Sequence, residues 1–395
     1  LENHLIGTNA IQRYEVNAYG KRINQLEIQN GNQGNSLRIT IDTEIQNYTS
    51  ELLNGEAGSI SIMDIYTGEI IAMNSSPSFN PNDFLYGIGL KEWKDLNSNP
   101  FKPLVNKTIS GLYSPGSTIK PIVALSALEN EVISTKFTVN CRGHENPLEL
   151  YGQSYHCWKK EGHGYVNLHE AIEKSCDCYF YNLAKTLEID DLAKFSSLFS
   201  YGQTTGIDIP NELKGIMPDR KWKIKNRGEK WQKGETLNTV IGQGFMLSTP
   251  LQITLMTARI ATGKKIIPSI ISNIKEFENL NINKENLEFI KSSMYSVVNN
   301  STGTAFNSRL SGNYKMAGKT GTSQVRRISL EEREVGVIKN EELNYKLRDH
   351  SIFTCFAPFD NPKYSLSVIA EHMGSGSKVA APIAKRIMEL ALNKY

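Results

Sequence analysis

Residues 59–73 alternate apolar and polar side chains with a break at Thr67-Gly68, the pattern of two half-buried strands joined by a tight turn. A second such pair, residues 351–356 and 364–370, flanks Asp360-Asn-Pro362. Residues 314–325 read as a further strand carrying Gly318 and Gly321, and glycines inside a strand mark close approach of a ligand or another backbone. The periodicity is different after Tyr113-Ser-Pro-Gly116. There Ile119, Ile122, Val123, Ala124, Leu125 and Leu128 make a helix that is apolar nearly all round, and such a helix is buried. Residues 381–395 form an amphipathic closing helix. Adjacent hairpins imply an antiparallel sheet, and the helices between them cover both its faces, so the expected fold class is α+β. Residues 1–34 are polar and Asn-rich and end in Gln29-Asn-Gly-Asn-Gln-Gly34, a flexible-linker composition. The expected division is therefore a leader over 1–36 and one large domain over 37–395.

Composition narrows the field by exclusion. The 395 residues carry a net charge of only +3, with no basic stripe, which argues against nucleic acid. No run of about 18 apolar residues is present, so nothing in the sequence reads as a membrane span. The chain begins at Leu1 without Met or a signal-like apolar region, which reads as a fragment whose front has been removed.

Three short pieces supply the polar groups that serine acyl transfer needs: Ser117-Thr-Ile-Lys120, Ser175-Cys-Asp177 and Lys319-Thr-Gly321. A serine hydroxyl is a poor nucleophile and needs a base within hydrogen-bond reach; a lysine serves only if burial and nearby cations keep it neutral. Ser117 is expected to open the buried helix with Lys120 one turn on, where i,i+3 neighbours lie roughly 5–6 Å apart at Cβ. The helix N-terminus favours the negative charge that forms there. The Ser-x-x-Lys spacing alone is weak, because it recurs at Ser272/Lys275 and Ser375/Lys378. The strand at Lys319 can offer backbone N–H groups to an extended peptide, with Lys319, Thr320 and Thr322 binding a carboxylate. The three pieces in this order are the signature shared by penicillin-binding proteins and serine β-lactamases.

The resemblance extends further. With Tyr113-Ser-Pro-Gly-Ser-Thr-Ile-Lys-Pro121, Gly162-His-Gly164, Ile241-Gly-Gln-Gly244, Thr249-Pro-Leu-Gln252, Ala317-Gly-Lys-Thr-Gly-Thr322, Phe356-Ala-Pro358 and Glu371-His372, the chain resembles the class B penicillin-binding proteins. It is most similar to the elongation-specific peptidoglycan D,D-transpeptidases called penicillin-binding protein 2. The resemblance implies that residues 1–36 are a remnant of a non-catalytic pedestal. It implies Ser117 as nucleophile, Lys120 as its neutral base, Ser175 as the hydroxyl that passes a proton to the leaving amine, and Lys319 as the electrostatic control on Lys120. Thr320, Gly321 and Thr322 would bind the substrate carboxylate, and the N–H groups of Ser117 and Thr322 would form the oxyanion hole. The implied substrates are peptidoglycan stem peptides and β-lactams, the implied partner a membrane glycosyltransferase of the elongation complex, and the implied location the periplasmic face of the inner membrane, through an N-terminal anchor. Asp177 departs from the Asn common in the wider family. An amide can donate, whereas a carboxylate accepts, so Asp177 is either protonated or accepts from Lys120 or a substrate N–H.

The cysteines are the second informative feature: Cys141, Cys157, Cys176, Cys178 and Cys355, the first four interleaved with His144, His156, His163 and His169. Thiolate and imidazole are the ligands tetrahedral zinc selects. Disulfides compete with that reading in an oxidising compartment, although an odd count leaves one thiol over. The resemblance implies a structural Zn2+ held by Cys141, Cys157, His163 and Cys176, with Cys178 and His156 as substitutes. Cys355, apart from the cluster, reads as a core residue. Residues 326–348 are dense in charge, with Glu331, Glu332, Arg333 and Glu334 in one run, and are expected to form a mobile loop beside the groove. Rival functions are a serine β-lactamase, a β-lactam sensor and, from another class, a catalytically silent scaffold.

Overall fold

The computed structural model describes residues 5–272, 276–326, 332 and 338–394. The chain divides between Thr40 and Ile41 into a small unit and a large one.

In the small unit, strands β1 (Ile11–Val16) and β2 (Arg22–Gln29) pair antiparallel around a turn that places Gly20 at φ +75°. This corrects the linker expected over residues 1–34. The alternation of Ile23 and polar neighbours was legible, but the side chains of β2 are exposed on both faces, so the hydrophobic signal that marks a half-buried strand is weak here.

In the large unit, β3 (Gly58–Asp64), β4 (Ile70–Ser76), β9 (Ala317–Ser323), β10 (His350–Ala357) and β11 (Tyr364–Ala370) form one five-stranded sheet. Its order is β4-β3-β11-β10-β9, and every neighbouring pair is antiparallel. Both hairpins expected from the period-two runs are present. Register fixes what lies on each face: Thr354 sits opposite Ser367, and both hydroxyls meet the helix Pro250–Thr262, through Thr257 at 2.6 Å and Thr254 at 2.7 Å. Ser351 is an odd number of residues from Thr354, so it points to the opposite face, where it accepts from the backbone of Ala380 at the start of the closing helix Ala380–Lys394. The sheet is thus sandwiched between helices, as the α+β expectation has it. Four short strands, β5 (Thr138–Cys141), β6 (Leu148–Leu150), β7 (Gln153–Tyr155) and β8 (Gly164–Asn167), make two small ribbons, β5 with β8 and β6 with β7. Among the described residues no helix is long and apolar enough to cross a membrane.

Candidate active site

Tyr113-Ser-Pro-Gly116 feeds a 3-10 turn, Gly116–Ile119, that runs into the helix Lys120–Glu129. Ser117 therefore lies in the tight turn ahead of the α-helix, and Lys120 is the helix's first residue; the expectation that Ser117 opens the helix itself is corrected by that turn. All of Lys120 to Leu128 is buried. The turn is held by backbone contacts and by the Thr118 hydroxyl, which donates to Pro115 O at 2.7 Å. Gly116 has φ +55°, donates its N–H to Gly242 O at 2.9 Å, and leaves no room for a side chain, because a Cβ would meet Thr322 O at 2.6 Å. Gly242, at φ +71°, is packed as closely from the other side, where a Cβ would meet Gly116 O at 2.1 Å.

Lys120 is fully buried, and its ammonium nitrogen reaches into the second motif. It donates to Asp177 Oδ1 at 2.7 Å, to Ser175 O at 2.9 Å and to Ser175 Oγ at 3.3 Å. These three acceptors fill the donor capacity of an ammonium. The direct Ser117–Lys120 hydrogen bond expected from the spacing is not formed: among the described residues the Ser117 hydroxyl has no hydrogen-bond partner, and the half-buried side chain stays available. Asp177 accepts from Lys120 and, at its other oxygen, from the backbone N–H of Trp158 at 3.1 Å. It stands in the first turn of the helix Asp177–Ala184, where a carboxylate complements the helix dipole.

Lys319, also fully buried, donates to Ser175 Oγ at 2.9 Å and to Thr320 O at 3.0 Å. Burial holds its amine well below the usual 10.5, the charge of Lys120 pushes it the same way, and Asp177 opposes both. The Ser175 hydroxyl is thus a bridge between two lysine nitrogens. Its backbone sits at φ +55°, a conformation that ordinary residues adopt at a cost. Lys319, Thr320, Gly321 and Thr322 lie on β9, an edge of the sheet, with Lys319 opposite Thr354 on β10. Gly321 is small because the turn carrying Ser117 lies against it: a Cβ there would meet Pro115 O at 3.0 Å and Thr118 at 2.9 Å. Of the weaker Ser-x-x-Lys pairs, Ser375 bonds Ser377 in the loop before the closing helix, and Lys275 lies outside the described residues.

Three contacts have no counterpart in the motif reading. The Trp158 indole donates to Ser175 O at 3.1 Å, Gln243 donates from its amide to Thr322 O at 3.1 Å, and Thr304 Oγ1 lies 2.7 Å from Thr320 Oγ1. The only sequence signal was position: Trp158 follows a candidate ligand, and Gln243 lies inside Gly242-Gln-Gly244.

The four implied metal ligands converge. Cys141 ends β5, Cys157 follows β7, His163 precedes β8, and Cys176 caps the helix Asp177–Ala184, with all four ligand atoms within 4.8 Å of one another. His163 Nδ1 is 3.4 Å from Cys157 Sγ and 3.7 Å from Cys141 Sγ. Burial draws the His163 imidazole down, yet the two thiols outweigh it and hold it at about 9. Cys157 is raised by Cys141 but lowered by Cys176, Cys178 and His163, and the net direction is down. Sulfurs and imidazole competing for protons in so small a space fit a tetrahedral cation that would replace those protons. All five cysteines are free thiols, Cys178 stands within reach of Cys141, and His156 packs at a tilt against His144 instead, ring centroids 3.9 Å apart. Cys355 is fully buried in β10, as expected of a core residue. Of the charged run, Arg326 pairs with Glu332, whereas Glu331, Arg333 and Glu334 lie outside the described residues.

With that geometry in place, the likeness to known proteins is specific. Residues 58–389 match the penicillin binding protein transpeptidase domain. The chain is 36% identical to the peptidoglycan D,D-transpeptidase MrdA of Acinetobacter baumannii over 97% of its own length and 58% of that protein's. It is equally 36% identical to MrdA of Haemophilus influenzae, over 100% and 62% of the respective lengths. The chain therefore spans about six tenths of the curated relatives it matches. Among solved structures it superposes on PBP2 of Helicobacter pylori in complex with MreC, with a TM-score of 0.86 at 33% identity, covering 98% of this chain and 69% of that one. For Pseudomonas aeruginosa PBP2 in complex with WCK 5153 the TM-score is 0.82 at 36% identity, covering 92% and 80%.

Proposed function

The chain belongs to the penicillin-binding protein transpeptidase family, and from that premise we propose that it is a peptidoglycan D,D-transpeptidase that cross-links stem peptides during cell-wall elongation and is acylated by β-lactams. The observation that carries this reading is the Ser175 hydroxyl set between the nitrogens of Lys120 and Lys319 beside the turn that presents Ser117.

The chemistry follows from that bridge. Ser117 Oγ adds to the carbonyl carbon of the penultimate D-Ala, and its proton goes to Lys120. Lys120, ion-paired with Asp177, first has to give up a proton, and the route is through Ser175 Oγ to Lys319, whose depressed amine is free to accept. A substrate carboxylate held at Thr320 and Thr322 stabilises a cation at Lys319 and so draws the proton there. The developing oxyanion is received by the N–H groups of Ser117 and Thr322, each such donor contributing roughly 3–4 kcal/mol. The C–N bond then breaks, Ser175 hands a proton to the departing D-Ala amine, and the acyl group on Ser117 awaits the amine of a neighbouring strand.

Zn2+ at Cys141, Cys157, His163 and Cys176 would act structurally. Cys176 separates Ser175 from Asp177, and Cys157 precedes the Trp158 that binds both, so coordination fixes the second motif from two sides. The same family relation supports a place on the periplasmic face of the inner membrane. The reported MreC complex of the H. pylori relative, and a peptidoglycan synthase complex of 26% identity, support assembly with elongation partners that include a membrane glycosyltransferase.

The test is mass spectrometry after penicillin treatment: one adduct mapped to the peptide carrying Ser117, persisting for many minutes and absent in Ser117→Ala. Rapid hydrolysis of a chromogenic cephalosporin would favour a β-lactamase, and no labelling at all a silent scaffold.

A further inference from the structure

Thr320 sits on the edge strand, 7% exposed, and in the reading above its hydroxyl donates to the substrate's carboxylate. A hydroxyl has one proton. If Thr320 spends that proton on Thr304, 2.7 Å away, it turns a lone pair toward the incoming anion. If Thr304 is the donor, the Thr320 proton is left for the ligand. Among the described residues Thr304 Oγ1 has no other hydrogen-bond partner, so Thr320 is the acceptor at hand for its proton.

The loop that carries Thr304 is built to stay in place. Gly303 packs where a Cβ would lie 2.4 Å from both Ser296 O and Val297 O, and Ala305 N donates to Val297 O at 2.9 Å. On its other side the loop grips Glu173, a carboxylate only 3% exposed, through Thr302 Oγ1 and through Asn300 Nδ2 at 3.3 Å, and Thr304 N reaches Glu173 O at 3.4 Å. Glu173 stands two residues before Ser175. Residues 300–305 therefore touch the approach to the second motif and the third motif together.

We propose that Thr304 is a positioning residue: it orients the Thr320 hydroxyl as a donor toward a carboxylate-bearing ligand, from a loop anchored on Glu173. The inference rests on the transpeptidase reading and adds a residue to its carboxylate specificity. The test compares acylation of Ser117 by benzylpenicillin and by its uncharged methyl ester, followed by intact mass in the purified protein, its Thr304→Val variant and its Thr304→Ser variant. In Thr304→Val the rate with benzylpenicillin is expected to fall about tenfold, the scale of one charge-assisted hydrogen bond, with the ester rate unchanged. Thr304→Ser restores the preference for the acid. Equal slowing of both probes in Thr304→Val, no change in their ratio, or failure of Thr304→Ser to rescue overturns the inference while leaving the function standing. If the unaltered protein is acylated by neither probe, the function falls and takes the inference with it.

Discussion

Lys319 shows how a single buried side chain bears on both the proposed chemistry and stability. Its amine is lowered in the fold, whereas in the unfolded chain it titrates near 10.5. Between those two values the unfolded state binds more protons, so this group makes stability rise with pH through the window and fall again as pH drops toward the folded value. Lys319→Met is expected to flatten that rise, measured as urea midpoints across the alkaline range, while abolishing penicillin labelling. A variant that kept the full slope would show that the amine is not neutral in the fold. The lysine itself was legible from its motif. The order of its causes was not, because sequence pointed to Lys319 as the charge that controls Lys120, whereas burial makes Lys319 the depressed member of the pair and Lys120 the partner of Asp177.

Among elements, the turn that presents Ser117 depends on two glycine backbones packed face to face. Gly242→Ala adds a Cβ at an overlap distance in a left-handed conformation, and about 2–4 kcal/mol of destabilisation is expected, together with slower acylation of Ser117. Gly228→Ala is the matched control, with φ +70° but open space around it, and should lose about 1 kcal/mol with acylation untouched. Thermal denaturation and labelling rates of the two variants check both statements. At this scale the sheet hairpins and the buried helix were readable because each has a buried face that imposes a period. The β1–β2 ribbon, exposed along both strands, imposes little, and the 3-10 turn at Ser117 leaves no periodic trace in four residues.

Across the whole molecule, the cysteine cluster and the polar site are mechanically one object, joined through Cys176 and the Cys157-Trp158 step. The purified protein is expected to carry one zinc per chain by elemental analysis. Removing it with a chelator, or Cys157→Ser, should lower the melting temperature and slow acylation together. Protein purified without stoichiometric zinc would sink the assignment. The four residues that converge were named through family likeness. The contact of Trp158 with the second motif was not, nor were those of Gln243 and Thr304 with the third, since no local spacing encodes them.

Ser175 carries a last implication. Its left-handed backbone is one that glycine would occupy at ease, but glycine would also remove the acceptor shared by two buried lysine nitrogens. Backbone comfort and the chemistry proposed for this hydroxyl therefore pull the position in opposite directions.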